Sequence, residues 1–426
     1  MIPARVHMVG IGGIGMSALA QLLVSRGTTV SGSDREESPV TALLAEKGVV
    51  VTIGHDQCVI PADTQMLIYS DAVPTTNDER ERAREMGIPE KSYFEALGDV
   101  SKSARTIAVS GTHGKTTTTA MLAKILAFAE KEPTVIVGSI VQDFGSNFLE
   151  GREDLLIVEA CEYRDHLLKL SPEILVITNI ELDHTDYFLD LAALQETFRK
   201  AVNAVPAHGC IVADPYDPVV AAVLGDARAP ILDYTTQSVP ELAQIGEFNR
   251  MNARAAKCAA RAAFPHLQEE YTDKALIDFK GSWRRFEYKG ETPHGALVYD
   301  DYAHHPTAIE KTLYAARDRF PDREITVVFH PHLYSRTRDL FAGFVAALSM
   351  ADHVVLAPVY AAREEDRGDV SSDSLAEAIA RIHSDVHSLH SFDEIREHLL
   401  MHTSTNDLII TMGAGDIYKV AEQIAD

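Results

Sequence analysis

Thr106-Ile-Ala-Val-Ser-Gly-Thr-His-Gly-Lys-Thr-Thr-Thr-Thr119 is the stretch on which the fold turns. Its opening residues are apolar or β-branched, as a buried strand requires, and from Lys115 to about Glu130 the spacing becomes helical. Small residues separate the two, so successive backbone N–H groups can curl around an oxyanion where the helix N-terminus adds its partial positive charge. Lys115 would neutralise the β- and γ-phosphates of a nucleotide, and the Thr116 hydroxyl would ligate Mg²⁺. The strict form of this loop has glycine five positions before Gly114, where Val109 stands. Strand, small-residue loop and helix in register still predict a nucleotide-binding α/β domain.

Working outward, strand and helix signals alternate along the whole chain. Before the loop, strands are expected at Arg5–Ile11, Thr28–Asp34 and Met66–Ser70, with a helix over Gly13–Arg26. The polar stretch Leu97–Ser103 lacks apolar periodicity and marks a boundary. After the loop, strands are expected at Thr134–Val137, Leu155–Glu159 and Ile174–Asn179, and a helix at Asn249–Phe264. A third group has strands at Leu297–Asp300, Ile325–His330, His353–Pro358 and Leu408–Met412, with helices at Thr307–Arg319, Arg338–Ser349 and Ser374–Ile382. Such alternation predicts mostly parallel sheets covered on both faces. Three α/β domains follow, at 1–102, 103–281 and 282–426: Rossmann-like, P-loop ATPase-like and Rossmann-like.

The first domain carries its own glycine turn, Gly10-Ile-Gly-Gly-Ile-Gly15, after a strand and before a helix, and Asp34 ends the next strand. Physically the pattern encodes diphosphate binding at a helix N-terminus, with the acid on a ribose hydroxyl. Taken alone it fits an NAD-dependent dehydrogenase. Ser70 ends a later strand and falls in the same pocket or is simply a turn residue.

Bulk properties restrict the partners. The formal charge of −24 argues against nucleic acid or an anionic membrane surface. No stretch reaches the ~18 apolar residues of a membrane span, and the N-terminus lacks a signal-peptide pattern. Cys58, Cys161, Cys210 and Cys258 form no paired motif and read as reduced thiols of a cytoplasmic protein. Length predicts two to four domains, and the chain is expected to act as a monomer or homodimer.

Glu159 closes the apolar run Leu-Leu-Ile-Val-Glu, at a strand end where α/β sheets bind ligands, and His184 follows a strand in the same way. A carboxylate, a hydroxyl and one imidazole suit a divalent cation. Asn249 and Asn252, three apart on a helix, present two carboxamides that read an adenine edge or cap the helix. The histidine-rich strand ends at His304-His305 and His330-Pro-His332 lack the spacing of a zinc cage.

The loop Gly111-Thr-His-Gly-Lys-Thr-Thr-Thr-Thr119 resembles that of the Mur ligases and folylpolyglutamate synthetases. The resemblance to the Mur ligase family extends along the chain through Gly10–Ser17, Gly145-Ser-Asn147, Glu159-Ala-Cys-Glu162, Thr178–His184, Arg284-Arg-Phe286, Asp300–Pro306, His330–Arg338 and Gly413–Ile417. It implies an ATP-dependent ligase that uses Mg²⁺ to join L-alanine to the lactyl carboxylate of UDP-N-acetylmuramate. By position it assigns ATP to Gly111, Thr112, His113, Gly114, Lys115, Thr116, Thr117, Asn249, Asn252, Arg285 and Asp301. The UDP-sugar falls to Gly12, Gly13, Ile14, Gly15, Asp34, Ser70, His113 and Asn147. The metal falls to Thr116, Glu159 and His184, the amino acid to Tyr302, His304, His332 and Arg336, and catalysis to Lys115, His184 and Arg285. Phe248, Cys161 and Tyr163 depart from the family pattern, and Glu162 is a substitute or supporting acid. Lys200 reads as a solvated helix lysine. A branch that attaches a whole tripeptide to the same sugar acid is the alternative; the compact stretch Glu162–Pro172 favours single-residue addition.

Overall fold

The computed structural model describes residues 2–54, 60–362 and 364–425, so Cys58 lies outside the described residues. Two compact units are present: Met1–Ile180, Leu194–Pro240 and Asn252–Lys280 form the first, and Glu181–Ala193, Glu241–Met251 and Gly281–Asp426 the second.

The first unit holds two sheets. One is wholly parallel, β1 (Arg5–Val9), β2 (Thr29–Asp34), β3 (Val50–Ile53), β4 (Met66–Tyr69) and β5 (Glu90–Ser92), in the order β3-β2-β1-β4-β5. The other runs β12-β11-β10-β6-β9-β7-β8 from β6 (Arg105–Ser110), β7 (Pro133–Val141), β8 (Ser146–Leu149), β9 (Arg152–Glu159), β10 (Ile174–Ile177), β11 (Cys210–Ala213) and β12 (Ile231–Asp233). Only the β7–β8 hairpin there is antiparallel. The loop-bearing strand β6 lies between β9 and β10, and all three are buried apolar runs, as a strand covered on both faces must be.

The second unit contains β13 (Glu287–Glu291), β14 (Leu297–Asp301), β15 (Glu324–Phe329), β16 (His353–Leu356), β17 (Val386–Ser388) and β18 (Asp407–Met412), ordered β13-β14-β18-β15-β16-β17. β13 is antiparallel and the rest parallel. Alternation splits the core: Ile325, Val327, Phe329, Leu408, Ile410 and Met412 pack with Ile309, Leu313, Phe344 and Leu375 on one face. Val328, Ile409, Val298 and Val355 pack with Ile395, Leu399, Val420 and Ile424 on the other. The expected α/β architecture with mostly parallel sheets is therefore present.

Two expectations fail. Leu97–Ser101 belongs to a helix, Tyr93–Ser101, started by a Ser92–Glu95 capping box. Its buried Ala96, Leu97 and Val100 form the apolar stripe that the polar neighbours disguised. The single helix expected over Arg338–Ser349 is two, Tyr334–Asp339 and Phe341–Leu348, broken at Leu340. Among the described residues no helix is long and apolar enough to cross a membrane. Cys161, Cys210 and Cys258 are free thiols.

Candidate active site

Strand β6 delivers a loop whose shape depends on two glycines in the left-handed region, Gly111 at φ 127° and Gly114 at φ 83°. A side chain would also collide with the Thr178 hydroxyl at Gly111 and with the Asn252 carboxamide at Gly114. The neighbouring strand end clamps the loop: Thr112 N donates to Asn179 O at 3.0 Å and His113 N to Asn179 Oδ1 at 2.9 Å. Thr178 Oγ1 and Asn179 Nδ2 return bonds to His113 O at 2.6 and 2.9 Å. Thr178 and Asn179 were not singled out from sequence as loop holders, although the stretch Thr178–His184 contained them.

Lys115, at the start of the helix Lys115–Phe128, points back over this loop. Its ammonium donates to Gly111 O at 2.5 Å, Thr112 O at 3.1 Å and the Glu162 carboxylate at 2.8 and 3.1 Å. Glu162 is 1% exposed. Burial acts to lower the lysine pKa, yet the Glu162 charge outweighs it and the value is raised, so Lys115 is held as a cation. Beside it, Thr116 Oγ1 donates to Glu159 Oε1 at 3.0 Å, and Gly138 N donates to Glu159 Oε2 at 2.7 Å. Burial and then the Glu162 charge push the Cys161 thiol up to about 12, so it is no thiolate nucleophile.

In the first sheet the carboxyl ends of β1, β2 and β4 bring the glycine turn, Asp34 and Ser70 together. Gly12 N donates to Asp34 Oδ2 at 2.7 Å, and Gly10 N and Ile11 N donate to Ser33 O. A side chain on Gly12 would press on that carboxylate at 2.9 Å, on Gly10 it would meet Ser70, and on Gly15 it would enter the Tyr93 ring at 2.8 Å. Gly13 ends the turn and Ile14 begins the helix. Asn147, expected at the UDP-sugar, is tied into the protein by hydrogen bonds. Its buried carboxamide donates to Ile14 O at 2.5 Å and Ser17 Oγ at 3.0 Å and accepts from Gln21 at 3.1 Å, bracing β8 against the first helix.

In the second unit, the four residues expected around the amino acid do gather. The Tyr302 and His304 rings lie 5.1 Å apart, His304 and His332 6.4 Å, and Arg336 Nη1 is 3.0 Å from His332 Nδ1. Arg336 is not a bare cation: its Nη2 and Nε donate to Asp183 Oδ1 at 3.0 and 3.3 Å. Burial alone would raise the Asp183 pKa, but Arg336 and then His184 hold it well below the carboxylate range. Burial and Arg336 depress His304, which is neutral near pH 7. His184 sits at φ 55° in a turn closed by Tyr187 N and Phe188 N on its carbonyl. Asp183 went unassigned in the sequence because its partner lies 153 residues away.

The pair Arg284-Arg285 divides its labour. Arg284 is buried and spends its guanidinium on Asp300 at 2.7 Å, Gly413 O at 2.6 Å and Gly415 O at 2.7 Å. Arg285 instead extends over the Tyr302 ring, 5.0 Å from its centroid. Asp301, expected at ATP, uses both oxygens on backbone donors, Phe286 N at 2.8 Å and Ala303 N at 2.7 Å. Burial raises its pKa to about 6 against the lowering effect of Arg285. Asn249 Nδ2 donates to Ile245 O at 2.8 Å, a bond within its own helix turn. Lys200 is exposed and 4.0 Å from Glu196, the solvated helix lysine it was read as.

Three family models match the chain in succession: "Mur ligase family, catalytic domain" at residues 5–105, "Mur ligase middle domain" at 109–241 and "Mur ligase, glutamate ligase domain" at 284–415. A UDP-N-acetylmuramate–L-alanine ligase of Clostridium acetobutylicum is 38% identical over 99% of this chain and 97% of its own length. Among solved structures, a UDP-N-acetylmuramate–alanine ligase of Thermotoga maritima superposes with a TM-score of 0.81 at 28% identity, covering 99% of this chain and 98% of that one. A murein peptide ligase of Psychrobacter arcticus gives 0.74 at 25% identity, with 99% and 98% covered.

Proposed function

This chain belongs to the Mur ligase family, and from that premise we propose that it uses ATP to join L-alanine to the lactyl carboxylate of UDP-N-acetylmuramate, a step of peptidoglycan precursor synthesis. The observation that carries the reading is the phosphate loop, with Lys115 held as a cation beside the Thr116–Glu159 oxygen pair. A dehydrogenase has no use for that loop, so the glycine turn at Gly10–Gly15 is assigned to the diphosphate of the UDP-sugar. Domains at 1–102, 103–281 and 282–426 divide the work as UDP-sugar, ATP and amino-acid domains.

In this reading the lactyl carboxylate attacks the γ-phosphorus of ATP, forming an acyl C–O–P bond as the β–γ bridge breaks and ADP leaves. The alanine amine then attacks the acyl carbon and phosphate departs. Two anions must meet in the first step, so cations have to be in place beforehand. Lys115 and the loop N–H groups hold the β- and γ-phosphates, and Arg285 stabilises charge on the transferring group. The Thr116 hydroxyl and Glu159 carboxylate are hard oxygen donors 3.0 Å apart, the donor type that Mg²⁺ takes. Bound there, the ion would offset phosphate charge. Tyr302, His304, His332 and Arg336 position the amino acid, with Arg336 on its carboxylate.

Phosphate release from ATP, measured with UDP-N-acetylmuramate and in turn L-alanine, glycine, L-serine and the tripeptide, tests the proposal. L-Alanine is expected to give the highest kcat/KM. Release that is equal without any amino acid, or highest with the tripeptide, overturns it.

A further inference from the structure

The reaction proposed above uses the carboxyl ends of the strands. At the opposite edge of the second unit's sheet, the amino ends of four adjacent strands collect another set of side chains. Asp407 opens β18, Glu324 opens β15, His353 opens β16 and Asp385 directly precedes β17. Register brings the first two side by side, since Glu324 pairs with Asp407 and Thr326 with His353. One donor atom each from Glu324, His353 and Asp407 lies within 4.8 Å of the others.

The imidazole is already oriented. His353 Nδ1 is 2.6 Å from Asp385 Oδ2, and Asp385 Oδ1 is in turn 2.9 Å from His387 Nε2. With Nδ1 donating to that carboxylate, Nε2 faces Glu324 Oε2 at 3.1 Å. A carboxylate fixing one ring nitrogen while the other faces a second carboxylate is the arrangement that supports metal-binding histidines. Asp407 is 6% exposed and held through Oδ2 by Ser404 N and Oγ at 2.6 and 3.0 Å. Glu324 is 68% exposed and has the freedom to move inward. Ligands on a tetrahedral centre with bonds of about 2.0–2.1 Å lie roughly 3.3 Å apart, so the donors must close in from a spacing of up to 4.8 Å. Two neighbouring guanidiniums are engaged elsewhere: Arg323 with the carbonyls of Thr405 and Asp407 at 2.6 and 3.1 Å, and Arg317 with Asp352 at 2.6 Å.

We propose that His353, Glu324 and Asp407 form a site for a divalent transition metal, with Asp385 as the positioning residue behind the imidazole. One nitrogen and two carboxylates favour Zn²⁺ and its neighbours over Mg²⁺, which takes oxygen ligands. Such an ion ties the starts of three strands at the edge remote from the chemistry, so its effect falls on stability and not on turnover.

The test is titration of the chelator-stripped full-length chain with Zn²⁺, read by competition with a chromophoric chelator. His353→Gln is expected to bind one equivalent fewer than the wild type, and Glu324→Gln to weaken that equivalent by about tenfold or more. Asp385→Asn should weaken it by about 10–100-fold, the range for losing a histidine's outer carboxylate. ATP-dependent phosphate release at the wild-type rate certifies that each variant is folded. If His353→Gln and Glu324→Gln bind as many equivalents as the wild type with equal affinity, the site does not exist.

Discussion

Lys115→Ala is the most informative perturbation, because the structure gives the lysine two separable roles. Its ammonium lies over the phosphate loop, and it also neutralises Glu162, which is 1% exposed. Removing the side chain leaves that carboxylate buried without a counter-charge, which costs about 3–5 kcal/mol of stability. Two loop carbonyls, Gly111 O and Thr112 O, lose a charged donor as well. The catalytic effect is of a different kind. A cation placed where charge develops is worth about 2.7–4 kcal/mol, or about 10²–10³ in kcat. The two effects part company in Lys115→Ala/Glu162→Gln, where the stranded charge is gone but the phosphate cation is still missing. Urea unfolding should show most of the lost stability regained in the double variant, while phosphate release stays low in both. Binding of UDP-N-acetylmuramate should be unchanged throughout. Turnover at the wild-type level in Lys115→Ala would sink the assignment, and so would its recovery in the double variant.

Further expectations concern single positions. Gly114→Ala forces a side chain into φ 83° and onto the Asn252 carboxamide; it should raise the KM for ATP by about tenfold or more, a loss of about 1.4 kcal/mol, and unaltered ATP kinetics would contradict the loop geometry. Arg336→Lys keeps the charge beside Asp183 but loses the fork, so the KM for L-alanine should rise while that for ATP holds; an equal rise in both points to general misfolding. Asp301 has its pKa raised to about 6, so its contribution to stability is full below the unfolded value near 3.8 and is lost as pH rises through about 6. That amounts to at most about 3 kcal/mol at 1.36 kcal/mol per unit. Asp301→Asn lacks the titration, so in urea unfolding its stability relative to the wild type should climb between pH 4.5 and 7; a flat difference refutes the burial argument.

The strand–loop–helix at Thr106–Phe128 was readable because everything that defines it is local: apolar strand, small residues, helix. The first glycine turn and its Asp34 were readable for the same reason, as was the grouping of Tyr302, His304, His332 and Arg336 through its resemblance. Short strands such as Glu90–Ser92 and Val386–Ser388 went unseen because three residues are too few to display a period. The pairings that set charge were also hidden. Glu162 meets Lys115 across 47 residues and Asp183 meets Arg336 across 153, separations over which no spacing rule operates. The bonds of Asn147 to Ile14, Ser17 and Gln21 were hidden in the same way, across 126 to 133 residues.

Those hidden partners bear on how an acidic chain of net charge −24 handles anionic substrates. A buried cation without a partner is costly, and here Lys115 and Arg336 each meet a carboxylate of their own unit. Binding an anion at either place is thus an exchange of one acidic partner for another, in a pocket whose cation has already been desolvated. Arg284 illustrates the alternative, with Asp300 and two carbonyls using up its guanidinium, so it serves as scaffold and leaves the neighbouring Arg285 to reach over Tyr302. Exchange has a consequence at the phosphate loop. Glu159 and Glu162 both act electrostatically on Lys115, so these three groups together carry a net charge of about −1 before any nucleotide arrives, counting each in its ordinary ionised form. Triphosphate adds several negative charges more. One lysine cannot balance them, and the Thr116–Glu159 oxygen pair beside it is where a divalent cation would make up the difference. On this argument the ion belongs to ATP binding as much as to chemistry, and Glu159→Gln should weaken both ATP binding and its dependence on Mg²⁺ concentration. Measured ATP affinity that falls equally steeply with Mg²⁺ depletion in that variant and in the wild type would show that the ion is held elsewhere.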